Sequence, residues 1–366
     1  MIRLVFTLEH TFEHEGYAEA VAFSSDGLLL ATSSYDPNSM TPKPVRLWEV
    51  ATGQCVGALS GHSRYVSRLN FSSDGLRLAG GGGYAQLWDL QGDQVRHRGE
   101  YECSVGSLTF SPDGKLLAGG TYQVQQSGLD QSIWLREVAT GRQLGNLAGH
   151  TSFINALTFS PSGQRLASAS SDHTVRLWSV LGGQCLTTTK LGSDPSADVN
   201  CLAFSPDSRL LAGGAWDGKV HLWDTETGRQ RTLEAHGYAH VLQVAFSPNG
   251  RLLAGGTASG YVFLWEATTG TLLRTLAEHR NSVQSVAFSP DGTVLATAGH
   301  DGMIHLWETD TGDRVSTPER HGSVVNPVLF SADGNWLASG CRDGKVRLWH
   351  LRRFDAGQPP LGPEHR

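Results

Sequence analysis

Phe159-Ser160-Pro161-Ser162-Gly163, followed by the pair Leu177-Trp178, is the stretch that decides the fold, because the chain repeats it along almost its whole length. The Phe-Ser-x-x-Gly copies begin at Phe23, Phe71, Phe110, Phe159, Phe204, Phe246, Phe288 and Phe330, with Ser208 in place of the Gly in the copy at Phe204. The Leu-Trp pairs end at Trp48, Trp88, Trp178, Trp223, Trp265, Trp307 and Trp349. The third copy deviates, with Trp134 two places early and Arg136 in the expected slot. The chain is therefore an array of eight units of about 42 residues.

One unit, residues 150–190, predicts four short strands. An alternating stretch at 154–159 predicts strand a, and the Pro- and Gly-containing segment 160–163 predicts a tight turn. Strands b, c and d are expected at 165–169, 174–178 and 184–188. Short strands joined by short loops form an antiparallel meander, and such sheets stack radially in a β-propeller.

Composition favours one soluble domain of short strands. The 44 glycines and the charged fraction of 17% suit tight turns rather than a coiled coil or a disordered chain. The net charge of −6 argues against a nucleic-acid partner. Five scattered cysteines contain no CxxC pair, which indicates a reducing compartment without a disulfide framework or zinc motif. Since no apolar run suits a signal peptide or a membrane span, we expect a cytoplasmic protein.

The two ends of the chain predict how the ring closes. The last unit has no obvious strand d, whereas residues 2–9 form a strand that precedes the first strand a. We therefore expect an all-β, single closed eight-bladed propeller over residues 1–352, in which strand 2–9 pairs with the C-terminal blade. Residues 353–366 are expected to be a flexible tail. The alternative is a ring of seven blades with one unit outside it.

Further motifs recur in register with these units. They include Gly61-His62, Gly149-His150, Ser111-Pro112-Asp113-Gly114 and Trp88-Asp89. Across about residues 1–352 the chain resembles the WD-repeat family of β-propellers, and in particular its bacterial members. The resemblance implies a non-catalytic scaffold for protein interactions, and we expect a monomer without a cofactor.

The resemblance also implies hydrogen-bonded tetrads of His, Ser or Thr, Asp and Trp in four blades. They are His14, Thr32, Asp36, Trp48; His150, Ser168, Asp172, Trp178; His279, Thr297, Asp301, Trp307; and His321, Ser339, Asp343, Trp349. A catalytic triad needs one exposed nucleophile, an oxyanion hole and a pocket, whereas this set repeats four times beside a Trp. We therefore expect structural tetrads, no catalytic residue and no metal ligand.

The repeat breaks on one face of the predicted ring. The a–b and c–d turns on the other face are nearly uniform. Three insertions, at 36–44, 121–128 and 191–198, fall in the b–c and d–a loops of the opposite face, called here the loop face. Variable loops on a rigid scaffold often carry binding specificity. Drift in loops without function is the alternative interpretation.

Large side chains also cluster in the loop-face segments of the sequence. The candidates for binding a partner are Tyr17, Tyr35, Arg64, Tyr65, Phe153, Trp216, Tyr238, His240, His300 and Arg342. Aromatic residues and Arg are enriched at interface hot spots, so we expect a protein or peptide partner there. One alternative is a reader of a modified ligand, such as methylated Lys in a cage of Tyr35, Tyr65 or Trp216. Another is an enzyme with a site in the central channel, and ordinary rim packing is the plainest interpretation of each single residue.

Overall fold

The regular structure of the chain consists of β-strands. The structure is a computed structural model that describes residues 2–38, 43–62, 65–90, 96–121, 132–192, 197–234, 239–316 and 320–355. Within these ranges every regular element longer than a single residue is a strand. No helix in the described ranges is long and apolar enough to cross a membrane.

The strands form eight blades, each with strands a to d in antiparallel order. The first blade contains β2 (Tyr17–Phe23), β3 (Leu29–Tyr35), β4 (Val45–Glu49) and β5 (Cys55–Leu59). The second and third contain β6 (Val66–Phe71), β7 (Arg77–Gly82), β8 (Tyr84–Asp89), β9 (Arg96–Phe110), β10 (Leu116–Thr121), β11 (Ile133–Glu137) and β12 (Gln143–Leu147). The fourth contains β13 (Ile154–Phe159), β14 (Arg165–Ser170), β15 (Thr174–Ser179) and β16 (Cys185–Lys190).

The remaining blades repeat this order. The fifth contains β17 (Val199–Phe204), β18 (Leu210–Ala215), β19 (Lys219–Asp224) and β20 (Gln230–Glu234). The sixth contains β21 (Val241–Phe246), β22 (Leu252–Thr257), β23 (Val262–Glu266) and β24 (Leu272–Leu276). The seventh contains β25 (Val283–Phe288), β26 (Val294–Gly299), β27 (Ile304–Glu308) and β28 (Arg314–Ser316). The eighth contains β29 (Val325–Phe330), β30 (Trp336–Cys341), β31 (Lys345–Asp355) and β1 (Ile2–Glu13).

The N-terminal strand closes the ring, and the eight-bladed prediction is confirmed. The eighth sheet has the order β1-β31-β30-β29, so the first strand of the chain is strand d of the last blade. The pairing runs from Ile2 opposite Asp355 to Glu13 opposite Lys345, which is longer than the expected strand 2–9. Strand β31 likewise extends three residues past 352, into the segment expected to be tail. The rest of that tail, residues 356–366, lies outside the described residues.

One strand serves two blades. Residues 96–104 of β9 pair with β8 as strand d of the second blade, and residues 105–110 pair with β10 as strand a of the third. The two blades therefore share a seven-stranded sheet, while the other six each form a four-stranded sheet. In the other blades the described part of the d–a connection interrupts the strand.

The Phe-Ser-x-x-Gly signature builds the a–b turn. In the first blade the Ser24 hydroxyl donates to Asp26 Oδ1 (2.5 Å) and accepts from the backbone N–H of Leu29 (2.9 Å). Gly27 then adopts a φ of 73°, which a residue with a Cβ rarely occupies. The Ser24 hydrogen bond lowers the pKa of Asp26, so the turn holds its carboxylate ionised. The turn is a self-contained polar unit, and this explains why it recurs.

The core lies between neighbouring blades. One cluster joins Val220 and Leu222 of the fifth blade to Val241, Leu253 and Trp265 of the sixth, and each of these side chains is buried. Burial of apolar surface contributes about 25 cal/mol per Å², and a single sheet has nothing else to cover its faces. Each blade is therefore stabilised chiefly by its two neighbours.

The third blade exchanges two side chains. Arg136 lies opposite Leu117, in the register position that Trp178 occupies opposite Leu166 in the fourth blade. The exchanged Trp134 is 4% exposed, and the Arg136 guanidinium lies 5.7 Å from its ring centroid. The deviation seen in the sequence therefore keeps an Arg beside a buried Trp, with their positions swapped.

Candidate functional site

The candidate residues that the structure describes occupy two backbone positions that recur from blade to blade. One precedes strand a, and the other lies at the end of strand b or in the b–c turn. In six blades the N–H of the second position donates to the carbonyl of the first, as from Trp216 to Asp198 (3.0 Å) and from Arg342 to Val324 (3.0 Å). In the first blade Tyr17 and Tyr35 are themselves paired in the strand register. Side chains at these positions therefore line one edge of the ring.

Three tyrosines and one arginine form a continuous group, called here the tyrosine cluster: Tyr17, Tyr35, Tyr65 and Arg342. The rings of Tyr17 and Tyr35 meet edge to face with centroids 5.9 Å apart. Tyr35 and Tyr65 lie 5.7 Å apart. The Arg342 guanidinium lies 5.6 Å from the Tyr17 ring centroid. The cluster spans the eighth, first and second blades, and its tyrosines are half-buried while Arg342 is exposed.

Charged groups surround the tyrosine cluster. Arg342 Nε lies 3.8 Å from Glu19 Oε1. Burial raises the pKa of Glu19, and the positive charges of Arg342 and Arg68 oppose this rise. Burial also raises the pKa of Tyr35, and the Glu19 carboxylate adds to that effect. Tyr35 is therefore a neutral hydroxyl donor at neutral pH, in a cluster that also holds an exposed guanidinium.

Trp216 and His240 form a separate pair, with ring centroids 5.4 Å apart and a hydrogen bond between His240 Nδ1 and the Trp216 carbonyl. Trp216 is 47% exposed, which is unusual for so large an apolar side chain. The pair joins the fifth and sixth blades, on the opposite side of an eight-bladed ring from Tyr35 and Tyr65. These three aromatic residues therefore do not share one cage.

Two further candidates that the structure describes, Phe153 and His300, fall outside both groups. Phe153 is half-buried, and its carbonyl accepts from the N–H of Ser171 (2.9 Å). His300 is exposed, and partial burial followed by the charge of Arg342 lowers its pKa. Arg64 and Tyr238 lie outside the described residues. So do residues 39–42, 122–128 and 193–196 of the three insertions.

Two of the four predicted tetrads are fully hydrogen-bonded. In the fourth blade His150 bonds Asp172 Oδ2 through Nδ1 (2.8 Å) and Ser168 Oγ through Nε2 (2.7 Å), and Trp178 Nε1 donates to Ser168 Oγ (2.8 Å). The His150 hydrogen bond lowers the pKa of Asp172 against the effect of burial. Ser168 is 0% exposed, and its hydroxyl joins the ring of His150 to that of Trp178 inside the blade.

The seventh blade repeats this network. His279 Nδ1 lies 3.0 Å from Asp301 Oδ2, and His279 Nε2 lies 2.8 Å from Thr297 Oγ1. Trp307 Nε1 donates to the same Thr297 oxygen (2.9 Å). The His279 hydrogen bond lowers the pKa of Asp301 to about 2, although burial acts in the opposite direction.

The other two tetrads differ from these in their hydrogen bonds. In the eighth blade His321 Nε2 bonds Ser339 Oγ (2.7 Å), while Arg347 donates to Asp343 Oδ2 (3.0 Å). In the first blade Trp48 Nε1 donates to Thr32 Oγ1 (2.8 Å), but His14 Nε2 finds no hydrogen-bond partner among the described residues. Burial lowers the pKa of His14 to about 4, helped by the charge of Arg46. Equal spacing in the sequence thus does not guarantee equal hydrogen bonding.

Sequence reasoning missed a cluster in the seventh blade. Three possible metal-ligand atoms lie within 4.8 Å of one another, one each from His279, Asp301 and His305. Burial, followed by the charge of neighbouring His279, lowers the pKa of His305 to about 4, so this imidazole is neutral at physiological pH. The available signal was a His two places before the repeat Trp, on the strand paired with Thr297.

Comparisons with known proteins match this architecture. The family described as WD domain, G-beta repeat matches residues 6–38, 53–89, 141–179, 183–224, 228–266, 270–308 and 312–350. These matches leave out residues 90–140, which include strands a to c of the third blade, where the Trp is displaced. The computationally designed Ika8 protein, known from a crystal structure, is similar with a TM-score of 0.76 and 26% identity, over 92% of this chain and 97% of that one.

Curated relatives resemble the chain over part of its length. Nuclear distribution protein PAC1-2 of Uncinocarpus reesii is 32% identical over 189 residues, which cover 45% of this chain and 39% of that protein. Periodic tryptophan protein 2 of Arabidopsis thaliana is 31% identical over 170 residues, which cover 45% and 17%. The chain thus spans less than half of the length of each. Both relatives are eukaryotic, so they do not support the expected resemblance to bacterial members. The repeat matches cover well over half of the chain, and the chain therefore belongs to the WD domain, G-beta repeat family.

Proposed function

We propose that the protein is a non-catalytic interaction scaffold that binds a protein or peptide through its loop face. The tyrosine cluster is the observation that carries the proposal. It offers three half-buried rings and an exposed guanidinium in one patch across three blades. Tyr and Arg are over-represented at binding hot spots because they combine apolar area with hydrogen-bonding groups.

The chemistry of the cluster favours a segment with an apolar or aromatic side chain and an acidic group. The tyrosine rings offer apolar faces, and their hydroxyls can donate hydrogen bonds. Arg342 can pair with a carboxylate, because its distance of 3.8 Å from Glu19 leaves that contact loose. Since Arg342 already covers Tyr17, a methylated lysine fits the cluster less well than a peptide of this kind. We expect the scaffold to act as a cytoplasmic monomer, without nucleic acid.

The test begins with affinity capture from source cells and quantitative mass spectrometry, followed by calorimetry with the purified partner. Tyr65→Ala and Arg342→Ala should each weaken binding by at least about 30-fold, since hot-spot truncations cost about 2 kcal/mol or more. Leu181→Ser is the matched control, because Leu181 is 97% exposed in a c–d turn on the opposite face. This control should bind as the wild type does.

Melting curves of all three variants establish that the ring is intact. Unchanged affinity in both loop-face variants, together with a loss in Leu181→Ser, would place the partner on the other face and refute the proposal. Trp216→Ala asks a separate question, namely whether the partner also reaches the fifth blade.

A further inference from the structure

The seventh blade differs from the other tetrad blades at one position. His305 stands two residues before Trp307 and lies opposite Thr297 in the strand register. The same position is Arg46, Arg176 and Arg347 in the first, fourth and eighth blades. In the eighth blade that Arg donates to the tetrad Asp. In the seventh blade an imidazole replaces this cation beside the tetrad.

The replacement assembles three ligands. His279 Nδ1 lies 3.1 and 3.0 Å from the two carboxylate oxygens of Asp301. The His279 and His305 rings are 4.5 Å apart between centroids and nearly perpendicular, at 68°. One atom from each of the three side chains lies within 4.8 Å of the others. Bonds of about 2.0 to 2.2 Å to Zn²⁺ place such atoms about 3 to 4 Å apart, so small side-chain shifts suffice.

Hydrogen bonds from groups that are not themselves ligands also hold the proposed ligands in place. The backbone N–H groups of Arg280 and Met303 donate to the two Asp301 oxygens, at 2.9 and 3.1 Å. His279 Nε2 bonds Thr297 Oγ1, which fixes the orientation of the ring. Outer hydrogen bonds of this kind orient metal ligands and limit the reorganisation that binding requires.

A cavity of about 560 Å³ gives access to this group. Asp301, His305 and Glu278 are among its lining residues. Glu278 is paired there with Arg314 at 2.7 Å, and Arg280 and Arg320 also line the space. These cations disfavour hard ions that are held by charge alone. They favour an ion that imidazole binds strongly, with a water or an anion as its fourth ligand.

We propose that the seventh blade binds one Zn²⁺ through His279 Nδ1, a carboxylate oxygen of Asp301 and an imidazole nitrogen of His305. The metal takes the place of the proton on His279 Nδ1, and the neutral ring carries its single proton on Nε2, which donates to Thr297 Oγ1. The fourth coordination position of the metal faces the cavity. Two imidazoles and one carboxylate are a typical zinc ligand set. The site departs from the expectation, based on the repeat alone, that these histidines serve only structure.

The test uses the full chain after treatment with a chelator. Zn²⁺ is titrated in competition with a chromophoric chelator, and Co²⁺ absorption reports a tetrahedral site. His305→Arg is the decisive variant, because the other three tetrad blades have Arg at this position. It should lower zinc affinity by at least about 100-fold, since losing groups that merely support a ligand costs about 10- to 100-fold. His221→Arg, the same change in the fifth blade, should leave the affinity unaltered.

Stability gives a second measurement. Zn²⁺ should raise the melting temperature of the wild type and of His221→Arg, but not that of His305→Arg. One equivalent of bound zinc that is lost only in His305→Arg supports the site. Binding that is absent in the wild type, or equal in the wild type and a folded His305→Arg, would overturn it. If His305→Arg does not fold, His305→Phe replaces it, because Phe263 fills this position in the sixth blade.

Discussion

Replacing Ser168 by Ala tests the hydrogen-bonded tetrad of the fourth blade. Its hydroxyl joins His150 Nε2 (2.7 Å) and Trp178 Nε1 (2.8 Å), and it is fully buried. The substitution leaves both nitrogens buried without that partner, at about 1–3 kcal/mol each. The free energy of unfolding should therefore fall by about 2 to 6 kcal/mol. For a ring of this length, with about 2.1 cal/mol/K per residue, the melting temperature should drop by about 3 to 8 °C.

Ser168→Thr is the matched control. Thr32 and Thr297 fill this position in the first and seventh blades, so a Thr hydroxyl reproduces the bonds. Urea denaturation gives the free energy, and calorimetry gives the melting temperature. A Ser168→Ala protein as stable as the wild type would refute the reasoning, and so would a Ser168→Thr protein as unstable as Ser168→Ala.

Three further perturbations probe other parts of the ring. Phe12→Ala empties a buried position of the closing strand and should lower the free energy of unfolding, measured by denaturant titration, by about 3–5 kcal/mol. A small decrease would mean that β1 does not close the ring. Gly119→Ala puts a Cβ into the ring of Trp134 and should lower the melting temperature, while the Cβ of Gly145→Ala meets nothing within 4 Å and should leave it unchanged. The pKa of His14 is lowered to about 4, below its unfolded value of 6.5. The contribution of neutral His14 to the free energy of unfolding is therefore complete above pH 6.5 and falls by up to about 3 kcal/mol as the pH drops to 4. In His14→Leu the free energy of unfolding, measured by urea titration at several pH values, should depend less on pH.

The repeat was enough to predict the number of blades and the closing strand. Each a–b turn is a local unit made by its own Ser, a polar or acidic residue two places later and, in seven of the eight, a Gly, so eight signatures mean eight turns. The continuous strand β9 was not predictable from spacing, because nothing in Arg96–Phe110 signals that the usual loop is absent. The exchange of Trp134 and Arg136 was visible in the sequence. The contact between the Arg136 guanidinium and the Trp134 ring could be found only from the strand register in the structure.

The sequence was enough to list residues of the candidate site, but not to show which of them contact one another. The order of the blades places Tyr17, Tyr35 and Tyr65 on neighbouring units, yet only the structure shows that their rings touch. Glu19 and Arg68 were missed because strand a reads as apolar framework. The tetrads could be listed from spacing, but His14 shows that hydrogen bonding also depends on the exact placement of the ring.

The pairing of β1 with β31 sets the order of events during synthesis. β1 emerges first, while its partner emerges about 340 residues later, or roughly 20 to 70 s at ordinary translation rates. Throughout this interval β1 has no partner strand, and its alternating apolar sequence is a template for pairing with other chains. Ring closure is therefore a late, long-range and slow step. A nascent chain of this kind should depend on chaperones until its last blade is complete.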